Sequence, residues 1–392
     1  MGVLSNNDGC LIARSNELKA AGIPMGAPYF QCRDQLRAMK AVIVSSNYAL
    51  YGDMSARVMN TLGQFTPALE VYSIDEAWLD LTGFDPATLD AYGREIVATT
   101  HRHTGIPVSM GIGPTKVLAK VANRICKQLK IPGQVFNMGG AGALEAVLAA
   151  VAVGDLWGIG RSWAEQLKQQ GIHTALQLRN ADAPAMRDRY NVVMQRLILE
   201  LRGVPCLEFE DIAPKQQIIA SGSFGERVTE IKALMESVSH HAARAGEKLR
   251  RQGSVCGALQ VSIRTGRHNP KERYVGRSAL IRFPVATADT RMLIRAARGG
   301  VERIYQAGPR YAQAGVMLVD IVPAPNVPGD LVDAGDSDNS IRLMNMVDQV
   351  NRRHGKHTVF FAGEGANQSW AMKREMMTKA YTTRWQDIPP VH

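Results

Sequence analysis

The sequence is notable first for what it lacks. No stretch approaches the 18 consecutive apolar residues that a membrane-spanning helix needs. The opening MGVLSNNDGC has no basic start and no apolar signal core, which argues against secretion. Cysteine is sparse: five residues, at 10, 32, 126, 206 and 256, an odd and scattered set with no C-x-x-C. That argues against a disulfide framework or zinc site and predicts reduced thiols in a cytoplasmic setting. Acidic residues are scarce in one place above all. From Arg244 to Arg310 there are fifteen Lys/Arg against four Asp/Glu, a local charge of +11 that exceeds the +10 of the whole chain. A concentrated basic module predicts a polyanionic partner, bound through phosphates with release of counterions.

What is present suits several domains, because 392 residues exceed one ordinary core and a 45% hydrophobic content can supply more than one. The first 45 residues read as short helices and loops, with turns at Gly22-Ile23-Pro24 and Gly26-Ala27-Pro28. AVIVSS at 41–46 reads as a buried strand. Met54, Val58 and Leu62 mark a helix over 48–64. LEVYS (69–73) and AWLDL (77–81) read as a hairpin, followed by a helix over 89–104, a strand over 107–113 and a basic helix over 115–130. This α-β-β-α-β order is that of a ferredoxin-like sheet without its first strand.

The hairpin places Asp75 and Glu76 at its middle. Neighbours on a flat strand point apart, but at a hairpin tip both can lean toward one point. Two such carboxylates suit a hard divalent cation that keeps phosphate oxygens in its shell; a plain polar turn is the alternative. Gly158-Ile159-Gly160 lets a backbone come close to a ligand, and the helix that follows offers free N–H groups to a phosphate. An ordinary helix–helix turn would look similar. Over 216–322, Val255, Gly257, Leu259, Val261 and Ile263 alternate with Cys256, Ala258, Gln260, Ser262 and Arg264, as in a half-buried strand. Helices are predicted over 230–251 and 289–306, and a closing strand over 316–322.

S-I-D-E-A-W-L-D-L at 73–81 resembles the metal-binding hairpin of Y-family translesion DNA polymerases. Other segments resemble that family in the same order: R-S-N-E-L-K-A-A-G-I-P-M-G (14–26), G-I-G-P-T-K-V-L-A-K-V-A (111–122), G-I-G-R-S-W-A-E-Q-L-K (158–168) and S-F-G-E-R-V (223–228). S-N-N-D-G-C (5–10) and the tail over 361–385 are similar to the UmuC-like branch, the catalytic subunit of bacterial DNA polymerase V. The resemblance covers essentially the whole chain. It implies an α+β right-hand polymerase: fingers 1–46, ferredoxin-like palm 47–134, helix-hairpin-helix thumb 135–212, αβ little finger 216–322, and a linker and extension over 323–392. It implies translesion synthesis in SOS-type repair, with Asp75 and Glu76 holding two Mg²⁺. Arg14, Lys19 and Lys127 would contact the dNTP triphosphate. Gly158, Gly160, Arg161, Arg227, Arg264 and Arg277 would contact damaged or distorted primer-template. Accessory subunits of a polymerase V complex and a recombinase filament are further implied partners.

Three departures qualify the resemblance. The family's first palm strand, its aspartate and a sugar-packing Phe-Tyr pair have no counterpart here, so an N-terminally truncated, incomplete palm and an inactive chain are expected; Asp8 is the nearest other carboxylate. Gly222 stands where relatives usually place arginine. No Q-L-x-L-F clamp peptide occurs over 323–335, which predicts weak sliding-clamp binding. The basic and aromatic tail could stack on single strands or dock a partner protein. Two rivals remain: a non-catalytic DNA-binding remnant, and another two-metal palm enzyme such as a nucleotide cyclase. The helix-hairpin-helix and the basic module disfavour the cyclase.

Overall fold

The computed structural model describes residues 1–139, 143–209, 214–266, 272–326 and 335–390. The chain divides into two units, one of 1–47 with 213–379 and one of 48–212 with 380–392.

The first unit opens with β1 (Gly2–Leu4), β2 (Leu11–Arg14), α1 (Asn16–Ala20), α2 (Tyr29–Ala38) and β3 (Ile43–Ser45). These strands form a sheet in the order β2-β1-β3, with β1 antiparallel to β2 and parallel to β3. The helices cover it through Leu4, Leu11, Leu18, Ile23 and Leu36, all buried. The expectation of only short helices and loops before residue 41 is therefore corrected. Strands of three and four residues are too short for alternation to declare them.

The second unit contains α3 (Tyr48–Leu62), β4 (Leu69–Val71), β5 (Ala77–Leu79), α4 (Leu89–Thr104), β6 (Met110–Ile112), α5 (Lys116–Leu129) and β7 (Val135–Asn137). The α-β-β-α-β order is as expected. Among the described residues, however, the strands form two separate pairs: antiparallel β4-β5 and parallel β6-β7. Gly111 and Gly113 let α5 lie directly on β6. A Cβ on Gly111 would stand 2.1 Å from the Asn123 amide nitrogen, so no side chain is possible there. The Thr115 side chain caps α5 by accepting from the Leu118 amide. Five further helices follow: α6 (Ala143–Ala150), α7 (Arg161–Gln169), α8 (Ala175–Asn180), α9 (Ala183–Arg189) and α10 (Val192–Leu201). Their core is continuous with the inner face of α5, through Leu118, Val121, Leu148, Leu167, Leu178 and Ile198. Fully buried Glu200 ties them together: its carboxylate accepts from the amides of Val117, Cys206 and Leu207.

The first unit resumes with β8 (Ile218–Val228), α11 (Ile231–Arg251), β9 (Ser254–Thr265), β10 (Gly276–Thr287), α12 (Thr290–Ile304), β11 (Tyr311–Pro323) and α13 (Asp338–His354). The antiparallel sheet runs β10-β9-β11-β8. Its inner face (Leu259, Val261, Ile263, Val316, Leu318) packs on α11 and α12. Gly300 brings α12 against the sheet, where a Cβ would meet Val261 at 2.4 Å. Gly222 also faces this layer, 3.2 Å from His241 by the same measure, so an arginine there would not lie on the open face. The opposite face carries Ile219, Ser221, Gln260, Ser262, Arg264, Leu280, Arg282 and Met317, mostly exposed or half-buried. Clamp-peptide positions 327–334 lie outside the described residues. No helix among the described residues is long and apolar enough to cross a membrane.

Candidate active site and nucleic-acid interface

The acidic pair sits at the tip of the β4-β5 hairpin, where Leu69, Glu70 and Val71 face Leu79, Trp78 and Ala77. The turn is closed by the amides of Tyr72 and Ser73, which both donate to the Glu76 carbonyl. The Ser73 hydroxyl donates to the Asp75 carboxylate at 2.6 Å and accepts from the Asp75 amide. Asp75 is exposed. Glu76 is half-buried and accepts from Lys120 Nζ at 3.0 Å.

Lys120 projects from α5 into a cage of three aromatic rings. Its ammonium lies 4.6 Å from the Tyr72 centroid, 5.1 Å from Trp157 and 5.7 Å from Trp78. The rings also pack on each other, and the Trp157 indole donates to the Tyr72 hydroxyl at 3.0 Å. One turn earlier, buried Lys116 pairs with Glu70 at 2.5 Å and donates to the Glu208 carbonyl. Lys120 and the cage went unrecognised in the sequence. Their only signal is a lysine four residues after Lys116, one helical turn along the same face. Lys127 lies on that face too, about 10 Å further along α5 by helical rise, and is exposed.

Trp157 leads directly into the glycine turn. Gly158 has φ +92°, which favours glycine; Gly160 caps α7 with φ −80°, and a Cβ there would meet nothing within 4 Å. The fold itself thus requires glycine at 158 and not at 160. Arg161 is almost wholly exposed and pairs with Glu165 one turn on.

In the first unit, the Arg14 guanidinium donates to the Ile23 carbonyl, while exposed Lys19 reaches only Asn16 Oδ1, at 3.4 Å. Asp8 serves its own fold. One carboxylate oxygen accepts from the Ser45 hydroxyl and the other from the Glu375 amide. Asn7 likewise accepts from the Lys373 amide, and residues 376–379 bond to Ser45 and Asn47 beside β3. Residues 373–379 of the basic and aromatic tail are here laid along the N-terminal sheet. On the antiparallel sheet, Arg264 donates to Gln313, Arg227 pairs with Glu272 at 3.5 Å, and Arg277 is exposed. Arg277 lines a cleft with Arg273, Tyr274 and Arg310.

The exposed acidic hairpin and the basic, helix-backed sheet are parts of a polymerase. The chain belongs to the impB/mucB/samB family, which matches residues 1–124, and that family's C-terminal domain matches 215–331. It is a UmuC-like Y-family polymerase. Residues 341–391 match a domain of unknown function, DUF4113. The chain is 44% identical to Protein UmuC of Salmonella typhimurium, over 98% of this chain and 92% of that one. It is 40% identical to Protein MucB of Escherichia coli, over 99% and 92%. DNA polymerase IV of Caulobacter vibrioides is 26% identical over 89% and 83%. A Y-family DNA polymerase chimera built on Dbh has the same fold, with TM-score 0.62 and 18% identity over 80% of this chain and 88% of that one.

Proposed function

We propose that the chain is a translesion DNA polymerase of SOS-type mutagenesis and repair that extends primers on damaged templates in the cytoplasm. The observation that carries this reading is the acidic hairpin tip, solvent-facing at Asp75 and charge-paired only at Glu76, in a chain of polymerase fold. In this assignment fingers span 1–46, palm 47–134, thumb 135–212 and little finger 216–322, with the extension beyond.

The hairpin's donors fit a hard cation: two carboxylates, one exposed and one paired with a single lysine. Asp75 and Glu76 would hold Mg²⁺, two ions in the working enzyme. The ions supply activation of the primer 3′-hydroxyl and charge neutralisation at the triphosphate. Lys120 keeps Glu76 paired until then and afterwards rests against the aromatic cage. Lys127 and Lys19 would attract the triphosphate; Arg14 would first have to leave the Ile23 carbonyl. Backbone N–H groups of Gly158, Gly160 and Arg161 would grip a DNA phosphate without reading sequence. Arg227, Arg264 and Arg277 would add phosphate contacts on the sheet. Polymerase V-type accessory subunits and a recombinase filament complete the proposed assembly.

A second reading, a DNA-binding protein without activity, is favoured by two observations: Glu76 is already paired with Lys120, and among the described residues no third metal-ligating side chain groups with Asp75 and Glu76. Primer extension separates the two. Against the inactivity expected from the missing palm strand and its aspartate, the polymerase reading expects purified chain to add nucleotides to a primed template with an abasic site when dNTPs and Mg²⁺ are present. DNA binding without any incorporation would establish the second reading.

A further inference from the structure

A half-buried cluster far from the acidic hairpin in sequence takes no part in the chemistry proposed above. His240 sits in α11, and His357 and Glu364 follow α13. All three belong to the first unit. Their ligand atoms lie within 4.8 Å of one another, and they are the only such group of three among the described residues. Glu364 Oε2 is 3.1 Å from His240 Nδ1 and 3.9 Å from His357 Nδ1. Glu364 is 2% exposed and His240 7%, whereas His357 opens to solvent.

We propose that His240, His357 and Glu364 bind one zinc-class divalent cation, with solvent as the fourth ligand. Two imidazole nitrogens and one carboxylate are a borderline donor set that suits zinc; magnesium and calcium prefer oxygen alone. Ligands about 2.1 Å from a tetrahedral ion stand about 3.4 Å apart, and the two measured separations bracket that value. The carboxylate is oriented from outside the site, because its other oxygen accepts from the Phe361 amide at 3.0 Å. The two imidazoles stack nearly parallel, 4.6 Å apart at 17°, so one ring must turn its edge inward on binding. Exposed His357 is free to do so. The ion would clip the segment 357–364 to α11, independently of whether the hairpin is catalytic.

The test uses the full chain, stripped with chelator and dialysed against limiting ZnCl₂ in excess Mg²⁺, so that hard oxygen sites are filled. Bound zinc is counted by elemental analysis, and CoCl₂ replaces it for absorption spectra. The proposal expects one zinc per chain, a cobalt spectrum without thiolate charge-transfer bands, and at least about tenfold weaker binding in His357→Ala and Glu364→Gln. His357 is exposed, so its variant keeps the fold and decides the matter if Glu364→Gln does not fold. Unchanged zinc content in His357→Ala, a thiolate spectrum, or no bound zinc would overturn it.

Discussion

At the scale of single residues, Lys120 is the side chain on which the hairpin's behaviour turns. It neutralises Glu76, and its charge lies against Tyr72, Trp78 and Trp157. A cation bound at the tip must compete with that ammonium. Mg²⁺ is therefore expected to change tryptophan fluorescence as Lys120 moves among the rings, and Asp75→Asn should abolish the change. Identical titrations of parent and variant would remove Lys120 from the account. His241 makes a prediction of another kind. Burial first, then its neighbours His240, Arg244 and Lys248, push its imidazole down to about 3 from an ordinary 6.5. In the folded chain it is neutral where the unfolded chain would bind a proton. Stability from this group is full above pH 6.5 and is lost as pH falls from there toward 3. Melting temperatures measured across that window should fall with acid, and His241→Phe should flatten the fall. Asp75 and Glu76 were legible because two carboxylates interrupt an apolar hairpin. The His240–Glu364 pair was not, because 124 residues separate its members and no local pattern links them.

At the scale of elements, long patterns were legible, and short strands were legible only where an apolar run or a hairpin marked them, as at β3 to β6. The helices over 231–251 and 290–304 and the strand 254–265 carry enough turns or alternations to declare themselves. The three-residue strands β1 and β7 do not; β6 falls inside the strand expected over 107–113, but its pairing with β7 is a tertiary event across α5. The glycine turn illustrates the difference between structural and functional demands. Gly158 is fixed by its φ of +92°, while Gly160 caps α7 with open space around it. Serine is a good helix cap, so Gly160→Ser should leave stability within about 0.5 kcal/mol. Added bulk beneath a DNA backbone should nonetheless weaken DNA binding severalfold, equally for all sequences. Full affinity in a well-folded Gly160→Ser chain would make the turn an ordinary helix connection.

At the scale of the whole molecule, the charge asymmetry seen in composition becomes a sheet with arginines on its open face and edge. Electrostatic grip of phosphates predicts a steep loss of DNA affinity with salt and little sequence preference. Arg277→Ala should lower the slope of log affinity against log salt by about one, which a titration at several salt concentrations reads directly. A flat response would assign the basic cluster another purpose. The tail shows what composition could not decide. Its basic and aromatic residues are compatible with nucleic acid, yet backbone bonds to Asn7, Asp8 and Ser45 hold its residues 373–376 beside β3.

The most direct measurement compares parent, Asp75→Asn and Glu76→Gln in primer extension, with DNA affinity determined in parallel. Each substitution keeps size and removes one charge from the hairpin tip. The account predicts that incorporation by an active parent falls at least about 10³-fold in both, while DNA affinity stays within about twofold. Extension by either variant at the parent's rate would contradict the assignment of this hairpin as the catalytic metal site.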